Sequence, residues 1–283
     1  PTLVDGTIYT IEFDVTDLAG NAATTVTNTG VTYDAGTQAP TLTTPAQDSY
    51  DNATVAYEFT LAEAATASSV ILTFTRTGGS ADANAPHAIT FDYTTAATHS
   101  GTLVGGDLST SANVDSVSSD TSDALVDGAV YSVQISYQDA EGNTAATDTN
   151  TGFTYDTTAP TITSVAPASS STASNNQVSY TLSEAVASGT ITWTENGTSV
   201  DGSDPHAQSL TGTELNTGAH TDITLTNDPT LVDGAIYNIE FDVTDLAGNA
   251  ATTVTSTSVT YDLGTEAPTL TTPAQDSYDN ATV

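Results

Sequence analysis

The chain has 283 residues, of which 35 are Asp or Glu, one is Arg and none is Lys, so its formal net charge is −34. Such a chain has almost no cations for phosphate groups, which argues against nucleic acid binding, and anionic membrane surfaces repel it. The absence of Cys and Lys excludes disulfides and Lys–Asn isopeptide cross-links. No window approaches the ~18 apolar residues needed to cross a membrane. Hard divalent cations are the natural partners of this surface.

The first 55 residues, which begin "PTLVDGTIYTIEFDVTDLAGN", return at residues 229–283, an offset of 228 residues. A diverged copy occupies residues 124–160, so two slightly different units alternate, each about half of that repeat long. The two close copies differ at six paired positions: Thr7/Ala235, Thr10/Asn238, Asn28/Ser256, Gly30/Ser258, Ala35/Leu263 and Gln38/Glu266.

Three breaks separate the units, and each joins a Tyr-Asp pair, a short Thr- or Gly-containing stretch and Ala-Pro. Proline keeps the preceding residue extended, which is typical of a short, stiff linker. The breaks predict the C-terminal part of a domain at 1–38, complete domains at 39–158 and 159–266, and the N-terminal part of the next domain at 267–283. Since both ends fall inside domains, we expect a window from a longer array.

The predicted elements are strands throughout. The motif "LVDGxxY" recurs at 3–9, 125–131 and 231–237, each time followed by alternating apolar and polar residues. This alternation predicts antiparallel strands with one buried face, and no segment has a convincing helical period. An all-β fold of two-sheet sandwiches follows. The Ser- and Asp-rich stretch 110–123 is expected to be an additional loop in the first complete domain.

Three aromatic positions refine this prediction. The Tyr of each motif, including Tyr131 and Tyr237, lies where a tyrosine corner places a hydroxyl that bonds back to the main chain. Trp193 in "TITWTENG" and Phe74 in "ILTFTRTG" occupy the strand that holds the central core aromatic of an immunoglobulin-like sandwich. We expect Tyr131 and Tyr237 to be buried with bonded hydroxyls, and Trp193 to be buried between the sheets.

These features together resemble the bacterial immunoglobulin-like repeats of giant secreted adhesins and biofilm-associated proteins. The resemblance rests on the strand, the "DxAGN" turn, the following strand and "YDTTAP", and it covers the whole chain. It implies tandem immunoglobulin-like β-sandwiches arranged end to end as an extended rod on the bacterial cell surface, stiffened by calcium at the interdomain junctions. Two linkers, "AGTQAP" and "LGTEAP", are longer than the family-like "TTAP" and make calcium less secure there.

Sandwich connectivity brings certain acidic and amide side chains toward the junctions between domains. Calcium takes six to eight oxygen ligands, and several carboxylates gathered without a cation would repel one another. The opposing interpretation is an ordinary turn, because Asp and Asn favour turns and Gly supplies a positive φ. The two candidate metal sets are Asp156, Glu184, Asp245 and Asn249, and Asp34, Glu63, Asp139, Glu141 and Asn143.

Other functions have less support in the sequence. Catalysis is not expected, because there is no Cys or Lys nucleophile and no Gly-rich phosphate loop follows a strand. A self-assembling fibre, sheath or surface layer whose copies pack laterally is the main alternative, and a carbohydrate-binding module is weaker because the single Trp is expected to be buried. The four His residues form two repeat-equivalent pairs, His87 with His206 and His99 with His220, and we expect no metal there.

Overall fold

The computed structural model describes residues 1–119, 121–197 and 200–264. The chain divides into two compact units, residues 1–158 and 159–283, each described here by itself. The predicted partial domain at 267–283 lies outside the described residues, as do the last two residues predicted for the domain 159–266.

The first unit contains a two-stranded hairpin and a sandwich, and its described elements are strands apart from one 3₁₀ turn, Leu108–Thr110. Its strands are β1 (Thr7–Phe13), β2 (Val26–Tyr33), β3 (Thr41–Thr44), β4 (Tyr50–Asp51), β5 (Thr54–Thr60), β6 (Val70–Gly79), β7 (His87–Phe91), β8 (Thr98–Val104), β9 (Val114–Ser118), β10 (Ala129–Tyr137) and β11 (Ala146–Tyr155).

The hairpin is the antiparallel pair β1–β2, and the sandwich has two sheets. One sheet has the order β3-β5-β8, and the other has the order β4-β11-β10-β6-β7-β9. Alternation produces the core: in β5, Val55, Tyr57 and Phe59 point inward while the residues between them are more exposed. They pack in one cluster with inward residues of the opposite sheet, such as Phe74 and Tyr131.

The second unit repeats this plan, with β12 (Ile162–Ala166), β13 (Thr172–Ala173), β14 (Val178–Leu182), β15 (Val186–Glu195), β16 (His206–Ser209), β17 (Gly218–Ile223), β18 (Ile236–Asp245) and β19 (Val254–Tyr261). Gly212–Leu215 forms a 3₁₀ turn. The sheet orders are β12-β14-β17 and β13-β19-β18-β15-β16. Trp193 and Tyr237 lie fully buried between the sheets, and Tyr131 has the same place in the first unit.

The stretch 110–123 differs from its prediction, since it is not only a loop. Residues 114–118 form β9, which pairs with β7 and adds a sixth strand to the larger sheet. The register shifts between Thr90 and Phe91, so Asp115 has no partner in the ladder. This bulge lets Val114 and Val117, three residues apart, both pack against the core. The period of two is broken there, which hid the strand in the sequence.

Candidate functional site

The "DLAGN" loop of the hairpin is closed by its own side chains. Asp17 Oδ1 accepts hydrogen bonds from the main-chain N–H groups of Ala19 and Asn21, at 2.9 and 2.8 Å. Its Oδ2 accepts one from the Asn21 side-chain amide, at 2.9 Å. The hydrogen bond from the Asn21 side-chain amide is the largest influence on the pKa of the Asp17 carboxyl. Together with the main-chain hydrogen bonds, it lowers that pKa. The Asp and the Asn therefore have a structural role in the turn.

The same bonds recur in the second unit. Asp245 Oδ1 accepts from Ala247 and Asn249 main-chain N–H groups at 2.8 Å, and its Oδ2 accepts from the Asn249 amide at 2.9 Å. The glycine between them, Gly248 here and Gly20 in the hairpin, has a φ of 90°, where other residues are strained. Turn geometry thus accounts for the spacing of Asp, Gly and Asn in these two loops.

The loop between β10 and β11 makes further contacts through its Asp and its Asn. Asp139 Oδ2 accepts from the Asn143 amide and from Thr37 Oγ1, both at 2.9 Å. Asn143 also donates to Asp34 Oδ1 at 3.1 Å. Carboxylate oxygens of Asp34, Asp139 and Glu141 lie within 4.8 Å of one another. These three residues, named the acidic triad below, join the end of the hairpin segment to the sandwich of the first unit.

The two remaining residues of this predicted set contribute differently. Asn143 directs its amide nitrogen, not its oxygen, at the two aspartates. Glu63 faces the connecting segment, residues 34–40 between β2 and β3. Its carboxylate accepts from the main-chain N–H of Gln38 at 2.7 Å and from the Gln38 side-chain amide at 3.2 Å. Tyr137 donates its hydroxyl to the Gln38 carbonyl at 2.7 Å. Glu63 therefore anchors the connecting segment, outside the acidic triad.

The triad spans a range of burial that suits a partly enclosed cation. Asp139 is buried, Asp34 is half-buried and Glu141 is exposed. Desolvation is the largest influence on Asp139 and acts to raise its pKa, but the bonds from Asn143, Thr37 and Gly142 outweigh it and lower the pKa. A permanently ionised carboxylate beside two others has the chemistry of a hard-cation ligand set. The residues present fit calcium, which would bind through their oxygens and neutralise their mutual repulsion.

The other predicted metal set is divided between the two units. Asp156 belongs to the first unit, where it accepts from the main-chain N–H of Thr158 at 3.0 Å. In the second unit, carboxylate oxygens of Glu184 and Asp245 lie within 4.8 Å of each other, and Asn249 donates to Asp245. In the second unit, therefore, Asp245, the counterpart of Asp139, lies beside Glu184, the counterpart of Glu63.

Sequence reasoning missed a buried polar network that occurs once in each unit. In the second unit, Asp201 Oδ2 accepts from the Tyr237 hydroxyl and from His206 Nε2, both at 2.6 Å, and Tyr237 accepts from the Val232 main-chain N–H. The bonds from Tyr237 and His206 hold the pKa of Asp201 at about 2. An Asp five residues before a His, in both units, was the available signal.

The first unit has the same arrangement. Asp82 Oδ2 accepts from Tyr131 at 2.6 Å and from His87 at 2.8 Å. Desolvation acts to raise the pKa of Asp82, but the bonds from Tyr131, His87 and Asn84 lower it. The predicted tyrosine corner is present, since Tyr131 also accepts from the Val126 main-chain N–H, and the carboxylate extends it. The network packs within the sandwich and links loop to strand, so its role is structural.

A family model matches the second sandwich. Residues 156–261 match the family described as "Bacterial Ig-like domain", so the second sandwich is similar to a bacterial immunoglobulin-like domain, a class of typically non-catalytic structural modules. No curated protein matches the chain. No helix in the described ranges is long and apolar enough to cross a membrane.

Two solved structures are similar to the chain at low identity. The FN1–FN3 domains of chicken CNTN1 are 11% identical, with 91% of this chain and 77% of that chain covered and a TM-score of 0.39. The fibronectin(III)-like modules of Clostridium thermocellum CbhA are 13% identical, with 82% and 99% covered and a TM-score of 0.36.

Proposed function

We propose that this chain is a structural repeat segment of a long extracellular bacterial surface protein, in which immunoglobulin-like sandwiches follow one another as a calcium-stiffened rod for adhesion or biofilm formation. The observation that carries the proposal is the recurrence of one sandwich topology in both units, together with the 228-residue sequence repeat. A repeated sandwich joined by short Pro-containing segments supplies length and stiffness. The sequence has no Cys or Lys nucleophile and no Gly-rich phosphate loop after a strand, which supports a mechanical role over catalysis.

Calcium is assigned to the acidic triad because its residues exceed what the turn requires. The hairpin loop closes with Asp17 and Asn21 alone, so Asp139 and Asn143 are accounted for by the turn. Asp34 and Glu141 are not needed to close it, yet their oxygens lie beside Asp139. In a chain with one Arg and no Lys, a divalent cation is the available counter-charge.

The test is calcium titration of the full chain, followed by calorimetry and thermal unfolding with and without chelator. A site at a hundredfold saturation stabilises the folded state by ~2.7 kcal/mol. The double variant Asp34→Asn/Glu141→Gln keeps the turn bonds to Asp139 but removes two ligand charges. It should lose the calcium effect of this site, and its stability in chelator should not fall, because the removed charges repel Asp139. The matched control, Glu12→Gln/Asp115→Asn, makes the same charge change at exposed positions. Equal calcium responses in the two double variants would contradict the assignment.

The rod itself is tested by small-angle scattering and by electron micrographs of the native material. An extended particle whose maximum dimension becomes better defined with calcium supports the rod. The alternative is an extracellular fibre, sheath or surface layer in which copies pack laterally. Ordered multi-chain fibres in the micrographs, and concentration-dependent sedimentation of the purified chain, would favour that alternative.

A further inference from the structure

The hairpin β1–β2 exposes an apolar face that is buried where its sequence recurs. Ile11 is 53% exposed and Phe13 is 65% exposed, whereas the equivalent Ile239 and Phe241 are 0% and 2% exposed. The two segments are almost identical in sequence, so this difference comes from what covers them. Neighbouring apolar side chains exposed on one face of the described structure are typical of an interaction surface.

The second unit shows which kind of segment covers such a face. There, β15 pairs along β18 with Trp193 opposite Ile239, and Tyr180 of the other sheet packs near Phe241 with ring centroids 6.4 Å apart. The covering residues all come from 159–228, which enters the hairpin at Pro229, the counterpart of Pro1. The face of the hairpin therefore complements the first six strands of an immunoglobulin-like sandwich, the counterparts of β12 to β17.

Two of the six substitutions specify this partner further. Asn28 and Gly30 stand where the second unit has Ser256 and Ser258, and they match Asn150 and Gly152 of the first sandwich.

In that sandwich, the Asn150 amide donates to the Leu42 and Pro45 carbonyls at 3.0 and 2.9 Å. A Cβ added at Gly152 would overlap Asp48 Oδ1, so the glycine makes room for the Asp48 side chain. Asn150 and Gly152 on the last strand of the sandwich thus fit the turn that follows its first strand.

The second unit has serine at both of the corresponding positions. Ser170 takes the place of Asp48, with a φ of 60° against 55°, and Ser258 takes the place of the glycine. The turn is held by a Ser170 N–H bond to the Thr257 carbonyl at 2.8 Å, the counterpart of the Asp48 bond to Thr151 at 2.9 Å. In the first sandwich, Gly152 on the last strand is paired with Asp48 at the turn. In the second unit, Ser258 on the last strand is paired with Ser170 at the turn.

We propose that the hairpin 1–38 is the acceptor for a half-sandwich of the 159–228 kind whose first turn carries Asp in place of Ser170. Gly30 selects this partner because it leaves the open space that an Asp side chain at the turn needs, as Gly152 does for Asp48. Asn28 offers an amide for main-chain carbonyls ahead of that turn, as Asn150 does. The inference rests on the proposed role as a structural repeat, and it is independent of calcium and of the rod.

The test uses the full chain with a copy of residues 159–228 joined ahead of Pro1, in two versions. One version keeps Ser at the position of Ser170 in the added copy, and the other has Asp there. Hydrogen exchange of the amides of β1 and β2 is measured in chelator, with the unmodified chain as baseline. We expect both versions to protect these amides, and the Asp version to exchange roughly tenfold more slowly than the Ser version.

Two control variants and three outcomes test the proposal. Ile11→Asp should abolish the protection in both versions, and Gly30→Ser should reverse the preference toward Ser. If neither version protects β1 and β2, the docking surface is wrong. If the two versions protect equally, the selectivity is wrong. If the unmodified chain already protects these amides and sediments as a dimer, the occupant is a second copy. None of these outcomes alters the calcium or scattering results.

Discussion

The hydroxyl of Tyr237 donates to Asp201 Oδ2 at 2.6 Å while it accepts the main-chain N–H of Val232 at 3.0 Å. A buried tyrosine thereby connects its own strand, the loop before that strand and a carboxylate from the loop between β15 and β16. The same triangle forms in the first unit with Tyr131 and Asp82. Burial and the bond to the carboxylate raise the pKa of Tyr237, so the phenol keeps its proton throughout the physiological range.

Removal of that hydroxyl should destabilise the second unit. Tyr237→Phe leaves Asp201 without one donor and the Val232 N–H without its acceptor, which costs ~1–3 kcal/mol. Urea unfolding followed by Trp193 fluorescence measures this effect, because the only Trp of the chain is in the second unit. The control is Tyr9→Phe in the exposed hairpin, where the same bond from Val4 is at 2.8 Å, and it should leave the fluorescence transition unchanged. Equal midpoints for Tyr237→Phe and the unmodified chain would contradict this account.

Asp201 also predicts a dependence of stability on acid. Its folded-state pKa of about 2 lies below the ordinary Asp value, so its contribution is present above pH ~4 and is lost as the pH falls toward 2. Urea midpoints of the second unit should decrease across this window, because the unfolded state binds the proton more tightly. Asp201→Asn should lower stability at pH 7 and flatten this acid slope. An unchanged slope in that variant would assign the acid sensitivity to other carboxylates.

The sequence predicted what depends on local pattern. Alternation located the strands around Tyr131 and Tyr237, and the motif before each Tyr located the corner, because both signals lie within a few residues. Sandwich connectivity also predicted that Asp34 lies near Asp139 and Asn143, and Asn143 donates to Asp34. Other contacts between distant segments escaped prediction. The partner of Tyr237 is 36 residues away, and Thr37 bonds to Asp139 across 102 residues. The strand β9 escaped because a bulge breaks its period, which no local propensity encodes.

Trp193 should be among the most costly side chains to shorten. It is fully buried and packs against Tyr237 with ring centroids 5.9 Å apart, so Trp193→Ala should cost ~3–5 kcal/mol. Its indole N–H has no hydrogen-bond partner within the described residues, so Trp193→Phe should cost less than the alanine variant. Circular dichroism follows the unfolding, since the fluorophore is removed. Phe13→Ala, at a 65% exposed position of the hairpin, is the control and should change stability by less than ~0.5 kcal/mol.

The pairing of Gly152 with Asp48 predicts a non-additive pair of mutations in the first sandwich. Gly152 has a φ of 80°, and a side chain there would both strain the main chain and overlap the Asp48 carboxylate. Gly152→Ser should therefore cost ~1–3 kcal/mol. Asp48→Ser removes the overlap, as Ser170 does opposite Ser258 in the second unit, so the double variant should recover the steric part of the loss. The expected coupling energy between the two sites is ~0.5–3 kcal/mol.

Urea unfolding monitored by circular dichroism measures the first sandwich in this cycle, and Trp193 fluorescence reports the second unit in the same samples. The fluorescence midpoint should stay constant across all four proteins, which shows that the change is confined to the first unit. Gly152→Ala is the matched variant that keeps the Cβ and omits the hydroxyl, and it should behave like the serine variant because the Cβ is what overlaps. If the two single losses simply add in the double variant, Gly152 is retained for its φ alone, and the matching of glycine to Asp48 does not select the turn.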